Sequence, residues 1–232
     1  MTASIDNLLK NSNLPGPRGN LELMYSFAHS ANAMEISECM TYLRDDLKNS
    51  PEEFVVMCGI VGYAVLHRND LPGCLEYLRH FASHGSWRIR EAVAMGIQET
   101  GAGNMDLLIL HLKSWLDGNE LEKRAVVAGL CEPRLLTDKD NVNEVLQILW
   151  DITLGFIASL GKISDVAKTL RQALGYCWSV AIVHHPREGK KMFEQLAGIN
   201  NPHIRHIVKE NLKKNRLLKM DKAWVEARNA GL

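Results

Sequence analysis

The chain has 232 residues, of which 46% are apolar and 6% aromatic, so it is long enough to bury a continuous core. Lys and Arg together number 27, as do Asp and Glu. This balance argues against a general affinity for nucleic acids or membrane surfaces, although it leaves room for a local basic face.

Cysteine usage and hydropathy indicate the compartment. The five cysteines are scattered and form no Cys-x-x-Cys motif, which argues against a disulfide framework or a zinc ribbon and fits a reducing, cytoplasmic environment. The N-terminus has no apolar run behind a basic start, so no signal peptide is predicted. The longest apolar stretch, residues 54–66, is too short to span a bilayer and is predicted to be a buried helix.

Turn residues and apolar spacing divide the chain into a leader and a series of helices. Residues 1–19 contain Leu14-Pro15-Gly16-Pro17 and are predicted to be a loosely ordered leader. Residues 20–232 are predicted to form one domain, with Asn20 capping its first helix and Ser50, followed by Pro51, capping its third. No segment has convincing strand alternation. The predicted helices are 20–29, 35–48, 51–66, 72–81, 87–99, 106–116, 120–131, 143–160, 164–183, 186–197 and 202–219.

A nine-residue phrase recurs three times along these helices. Each copy has an Arg at its second position, a branched apolar residue three positions later and an apolar residue seven positions after the Arg. The copies are residues 89–97, 123–131 and 204–212. Recurrence of this kind is typical of stacked structural units rather than of one closed globule.

The first copy, Ile89-Arg90-x-x-Val93-Ala94-x-Gly96-Ile97, resembles the second helix of HEAT repeats, whose signature is Val-Arg-x-x-Ala-Ala-x-Ala-Leu. The resemblance implies an all-α, right-handed α-α superhelix, a HEAT-like solenoid of the armadillo type, with about five helix pairs after a leading helix. It also implies that the second helices line a concave surface of the kind such proteins use to bind partners.

Within this group, the Trp and Arg content is similar to that of the HEAT-like DNA alkylation repair glycosylases. That group places Trp, Asp and Arg side chains in a concave DNA-binding cleft. Here Trp87 is followed four residues later by Glu91, where the group has Asp. The resemblance therefore offers DNA binding or DNA alkylation repair as an alternative function.

The candidate binding residues are cationic or aromatic. The second position of the phrase is occupied by Arg90, Arg124 and Arg205. These arginines either line one surface for phosphate or carboxylate groups, or hold neighbouring repeats together. The C-terminal segment is basic, and its cations either meet phosphates or form a solvated helix face. Trp87, at the start of a helix, is either a contact residue or a packing plug between units. The basic candidates in the C-terminal segment are Lys209, Lys213, Lys214 and Arg216.

No motif for catalysis is present. The sequence has no Gly-x-Ser-x-Gly, no P-loop and no dinucleotide fingerprint, and its paired histidines have no His-Glu-x-x-His context for zinc. We therefore predict no catalytic residues, metal or cofactor. The predicted function is a cytoplasmic scaffold that binds a protein partner, with nucleic-acid binding as the alternative.

Overall fold

The computed structural model describes residues 4–158 and 163–231. Helices make up 72% of the structure and no strand occurs in these residues, so the prediction of an all-α protein is confirmed. None of the described helices combines the length and apolar character needed to cross a bilayer. The α-helices are α1 Ile5–Lys10, α2 Leu21–Ala28, α3 Ala33–Met40, α4 Pro51–Leu66, α5 Leu71–Arg79, α6 Trp87–Thr100, α7 Met105–Leu112, α8 Glu120–Leu130, α9 Lys139–Ala158, α10 Asp165–His184, α11 Pro186–Ala197, α12 Pro202–Leu212, α13 Asn215–Met220 and α14 Lys222–Ala230.

Side-chain caps fix where many of these helices begin. Asn20 Oδ1 accepts from the main-chain N–H of Leu23 at 3.2 Å, so the predicted cap of α2 is confirmed. Ser50 Oγ accepts from the N–H of Glu53 at 3.4 Å, and Pro51 occupies the first position of α4, also as predicted. The first and third copies of the repeated phrase lie in α6 and α12, and the second lies in α8 except for its last residue, Cys131.

The chain forms two compact units, Met1–His111 and Leu112–Leu232. In the first unit, α4 is the central helix and packs against α1, α2, α3 and α6. Its apolar run is buried as predicted, because neighbours cover the helix on several sides. Gly59 permits the close approach of α3, since a Cβ there would lie only 2.9 Å from Cβ of Cys39.

In the second unit, α10 is the central helix and packs against α8, α9, α11 and α12. Its Trp178 is fully buried and donates its indole N–H to Thr153 Oγ1 of α9 at 3.2 Å. A buried Asn211 joins α12 to α10: its Nδ2 donates to the carbonyl of Leu174 at 2.8 Å, and its Oδ1 accepts from the N–H of Ser179 at 2.8 Å. Helix positions are therefore set by polar bridges as well as by apolar packing.

The N-terminal segment forms part of the first unit. The predicted loosely ordered leader contains α1, whose Leu8 is fully buried. The helix predicted over 35–48 ends at Met40, where the main chain tightens: the N–H of Leu43 bonds to the Met40 carbonyl, a 3₁₀-type turn. Asn49 then takes a left-handed conformation with φ of 53°.

The C-terminal region also differs from its prediction. The helix predicted over 202–219 is divided into α12 and α13, because Lys214 is extended with ψ of 124°. This bend brings Leu217 into full burial. A further helix, α14, was not predicted and begins where Asp221 Oδ1 accepts from the N–H of Trp224 at 3.0 Å. The predicted helix end at residue 160 and the break at Gly161 lie outside the described residues.

Candidate binding groove

A groove of about 750 Å³ opens in the first unit, where α4 and α6 begin. We call it the α4–α6 groove. Three stretches of chain meet there: the N-terminal segment at Gly16 and Pro17, the turn 45–49 with the first turn of α4, and the turn 85–86 with the first turn of α6. Two predicted binding residues, Trp87 and Arg90, line the same groove.

A buried ion pair lies at the floor of the groove. Glu53 and Arg88 are only 1% and 4% exposed, and Arg88 Nη1 lies 3.3 Å from Glu53 Oε2. The same Oε2 accepts from the main-chain N–H of Asn49 at 2.9 Å, while Oε1 accepts a hydrogen bond from the hydroxyl of Ser86. A charge at this depth is tolerated only with such partners, so the floor is a fixed structural network.

Arg88 also ties the N-terminal segment to the groove. Its Nη2 donates to the carbonyl of Gly16 at 2.6 Å, and the N–H of Gly16 donates to Asn49 Oδ1 at 3.0 Å. Asn49 adopts its left-handed backbone more readily than most residues. Both main-chain polar groups of Gly16 are therefore held, which fixes one wall of the groove.

The turn before α6 has a second set of hydrogen bonds. The N–H of Ser86 donates to His84 Nδ1 at 3.0 Å, so the imidazole proton is assigned to Nε2, which lies 3.2 Å from the Arg44 carbonyl. Arg90 Nη1 donates to the carbonyls of His84 and Gly85 at 2.6 and 2.8 Å. Arg90 thus reinforces the turn that leads into its own helix.

Ser86, His84 and Glu53 do not form a nucleophilic triad. In such a triad the serine hydroxyl donates to the imidazole, and the carboxylate orients the other ring nitrogen. Here the hydroxyl donates to Glu53 and accepts from the N–H groups of Arg88 and Ile89, while the histidine accepts from a main-chain N–H. These groups cap a helix and hold a turn instead of activating an oxygen.

Trp87 gives the groove its accessible apolar surface. Its side chain is 54% exposed, although it opens a helix whose next two residues are buried. The guanidinium carbon of Arg88 lies 4.5 Å from the centre of the indole ring. One cation therefore supports the ring from below the surface, and the rest of the indole remains available for contact.

The rim of the groove carries both signs of charge. Asp45, Asp46 and Lys48 are exposed, and Arg44 pairs with Asp46 at 3.0 Å. The rim therefore has no strong field of either sign.

The other predicted binding residues lie in the second unit. Arg124 is half-buried on α8 and Arg205 is exposed on α12, and both helices pack against α10. The three arginines of the repeated phrase are therefore divided between the two units. Of the remaining basic candidates, Lys209, Lys213 and Arg216 are exposed, Lys214 is half-buried, and Lys213 Nζ pairs with Glu210 Oε1 at 2.5 Å.

Sequence reasoning missed the residues of the groove floor. Neither Glu53 nor Arg88 is among the binding residues predicted from the sequence. A signal was present in Ser50-x-x-Glu53, a capping-box spacing. The Glu53 side chain instead accepts from Asn49 and reaches Ser86 and Arg88, which are distant in sequence, so the spacing alone did not reveal its role.

Neither the cysteine thiols nor clustered metal-binding side chains form a reactive centre in the part of the chain that the structure describes. All five cysteines are buried and free. Burial raises the pKa of the Cys39 and Cys74 thiols to about 12, and burial followed by a hydrogen bond to Cys177 raises that of Cys131, so these thiols are protonated at neutral pH. Within residues 4–158 and 163–231, no three His, Cys, Asp or Glu side chains converge in a way that would hold a metal ion.

Comparison with protein-family models, with curated proteins and with solved structures finds no match to this chain.

Proposed function

We propose that this chain is a non-catalytic binding scaffold that holds a segment of a protein partner in the α4–α6 groove. The observation that carries the proposal is the half-exposed indole of Trp87 at a groove with a rigid floor. Tryptophan is enriched among the residues that dominate binding energy at protein interfaces, especially where a fixed pocket supports it. The charges of Glu53 and Arg88 in the floor are paired with each other. We therefore assign recognition of the partner to Trp87 and the rim.

The proposed architecture is the HEAT-like superhelix. Support comes from helix neighbours within each unit: α2, α4 and α6 pack in succession in the first, and α8, α10 and α12 in the second, as helices of stacked repeats do. A cytoplasmic location is part of the proposal, supported by five free, buried cysteines.

Replacing Trp87 by Ala is expected to reduce capture of the protein partner from cytosolic extract at least tenfold, because truncating a central interface tryptophan costs about 2 kcal/mol or more. The measurement is quantitative mass spectrometry of captured proteins, with and without nuclease treatment. Stability should change by about 1 kcal/mol or less, since the ring is half-exposed.

Met34→Ala is the matched control, because Met34 lies in the same unit and is 81% exposed. This variant should capture the partner as well as the parent protein does. Capture that survives in Trp87→Ala, or that nuclease abolishes, would contradict the proposal.

Nucleic-acid binding, including a DNA-repair role, is the second candidate. It is favoured by the exposure of Arg205 and Lys209, one turn apart on α12, together with Lys213 and Arg216. We expect the parent protein to bind a short DNA duplex only weakly at about 150 mM salt, because the chain carries no net charge. Fluorescence anisotropy is the measurement, and submicromolar binding would favour this candidate over the scaffold.

A further inference from the structure

A polar cluster lies where α10 and α12 pack together in the second unit. Arg171 Nη1 of α10 lies 3.0 Å from His203 Nδ1 of α12, and both side chains are half-buried. The two helices approach closely, since a Cβ at Gly175 would lie 3.2 Å from Cβ of Glu210. The α4–α6 groove lies in the first unit, and nothing in the proposed function uses this cluster.

The guanidinium of Arg171 has an unused buried donor. Its Nε is shielded from solvent and has no hydrogen-bond partner, the one such side-chain nitrogen or oxygen among the described residues. Buried donors in folded proteins nearly always have an acceptor. An arginine presents Nε and one terminal nitrogen as a fork that matches two oxygens of an oxyanion.

Cationic and titratable side chains surround His206 in this cluster. Burial lowers the pKa of His206, and the Arg171 guanidinium lowers it further, as do Lys213 and His203. Glu210 acts in the opposite direction, but its carboxylate pairs with Lys213 Nζ at 2.5 Å. The carboxylate near His206 is that of Glu210, and Lys213 already neutralises it.

We propose that the cluster of Arg171, His203 and His206 binds a doubly charged phosphate group. Arg171 would donate through the fork that includes Nε after a rotation of its side chain, and protonated His206 would donate to a further oxygen. A phosphate offers three acceptor oxygens and nearly two charges at neutral pH, which matches donors from separate side chains. A carboxylate, with two oxygens and one charge, satisfies fewer of them.

Calorimetric titration of the full chain at low ionic strength tests the ligand class. The probes are inorganic phosphate, O-phosphoserine and acetate. Binding of either phosphate probe in preference to acetate supports the site, and their relative affinities show whether free phosphate or a phosphorylated side chain is the better source. Absence of phosphate binding, or equal binding of acetate, would overturn the proposal.

Arg171→Gln is expected to weaken phosphate binding at least tenfold, because it removes the charged fork. Lys168→Gln is the matched control: it removes one positive charge from the same helix, but Lys168 is exposed and pairs with Asp165 at 2.8 Å. Its binding should stay within twofold of the parent. Arg171→Lys keeps the charge without the fork and should bind weakly as well. Equal losses in Arg171→Gln and Lys168→Gln, or no loss in either, would reject the site.

A pH series with sulfate gives a second readout, since sulfate keeps its double charge between about pH 5 and 8. His206 is mainly neutral at neutral pH because its pKa is lowered, and a bound anion stabilises its protonated form. Sulfate should therefore raise the pKa of His206 measured by NMR, and should bind more tightly as the pH falls from 8 towards 6. An unchanged His206 titration with pH-independent affinity would count against the proposal.

Discussion

Replacing Glu53 by Ala is expected to lower the free energy of unfolding by about 3–5 kcal/mol, the cost of breaking a buried ion pair from one side. The substitution leaves the Arg88 guanidinium buried without its carboxylate, and it removes the acceptor for the Ser86 hydroxyl and for the Asn49 N–H. Urea denaturation followed by circular dichroism measures the change.

Two further variants test whether the unpaired charge of Arg88 causes the loss of stability in Glu53→Ala. Glu53→Ala combined with Arg88→Leu removes both charges and should be more stable than Glu53→Ala alone. Glu52→Ala, at the neighbouring and more exposed position, should cost about 1 kcal/mol or less. If Glu53→Ala and Glu52→Ala have the same midpoint, the groove floor is not held by this ion pair.

Replacing Asn211 by Leu is expected to cost about 2–4 kcal/mol, although leucine is the more apolar residue at a fully buried position. The Asn211 side chain makes three hydrogen bonds of 2.8 Å, to the N–H of Ser179 and to the carbonyls of Leu174 and Ile207. Without this side chain, the Ser179 N–H and the Leu174 carbonyl of α10 lose their hydrogen bonds to α12. The contact between α10 and α12 should therefore weaken. The same urea titration measures the effect.

The exposed Asn229 of α14 supplies the control for this substitution. Asn229→Leu should change the free energy of unfolding by about 0.5 kcal/mol or less. An Asn211→Leu variant as stable as the parent would mean that apolar packing alone holds α12 against α10.

Local signals predicted much of the helical structure. Asn20 and Ser50 followed by Pro51 marked helix starts because capping depends on residues within one turn of each other. The same kind of local signal did not predict the bend between Leu212 and Asn215, because the apolar spacing continues through it. That bend places Leu217 in the core, and such a tertiary contact is not encoded in a local pattern.

The candidate groove was predicted only in part. Trp87 and Arg90 were selected from the sequence, and both lie in the groove. The pairing of Arg88 with Glu53 joins residues 35 positions apart, and neither side chain has a local feature that identifies its partner. Asn211 was hidden for a related reason: it stands where the other copies of the repeated phrase have Gly96 and Leu130, so its hydrogen bonds to α10 depend on which helix packs beside it.

The most direct test of the proposed scaffold is a titration of the nitrogen-15-labelled chain with the protein that it captures, followed through the indole N–H signals in NMR spectra. Trp115 and Trp178 are buried and serve as internal references. The proposal predicts that the Trp87 indole signal shifts in a saturable way, while those two references keep their positions until complex formation broadens all signals. A Trp87 signal that stays in place while the main-chain signals of Arg205 and Lys209 shift would contradict it and place the contact on the basic face of α12.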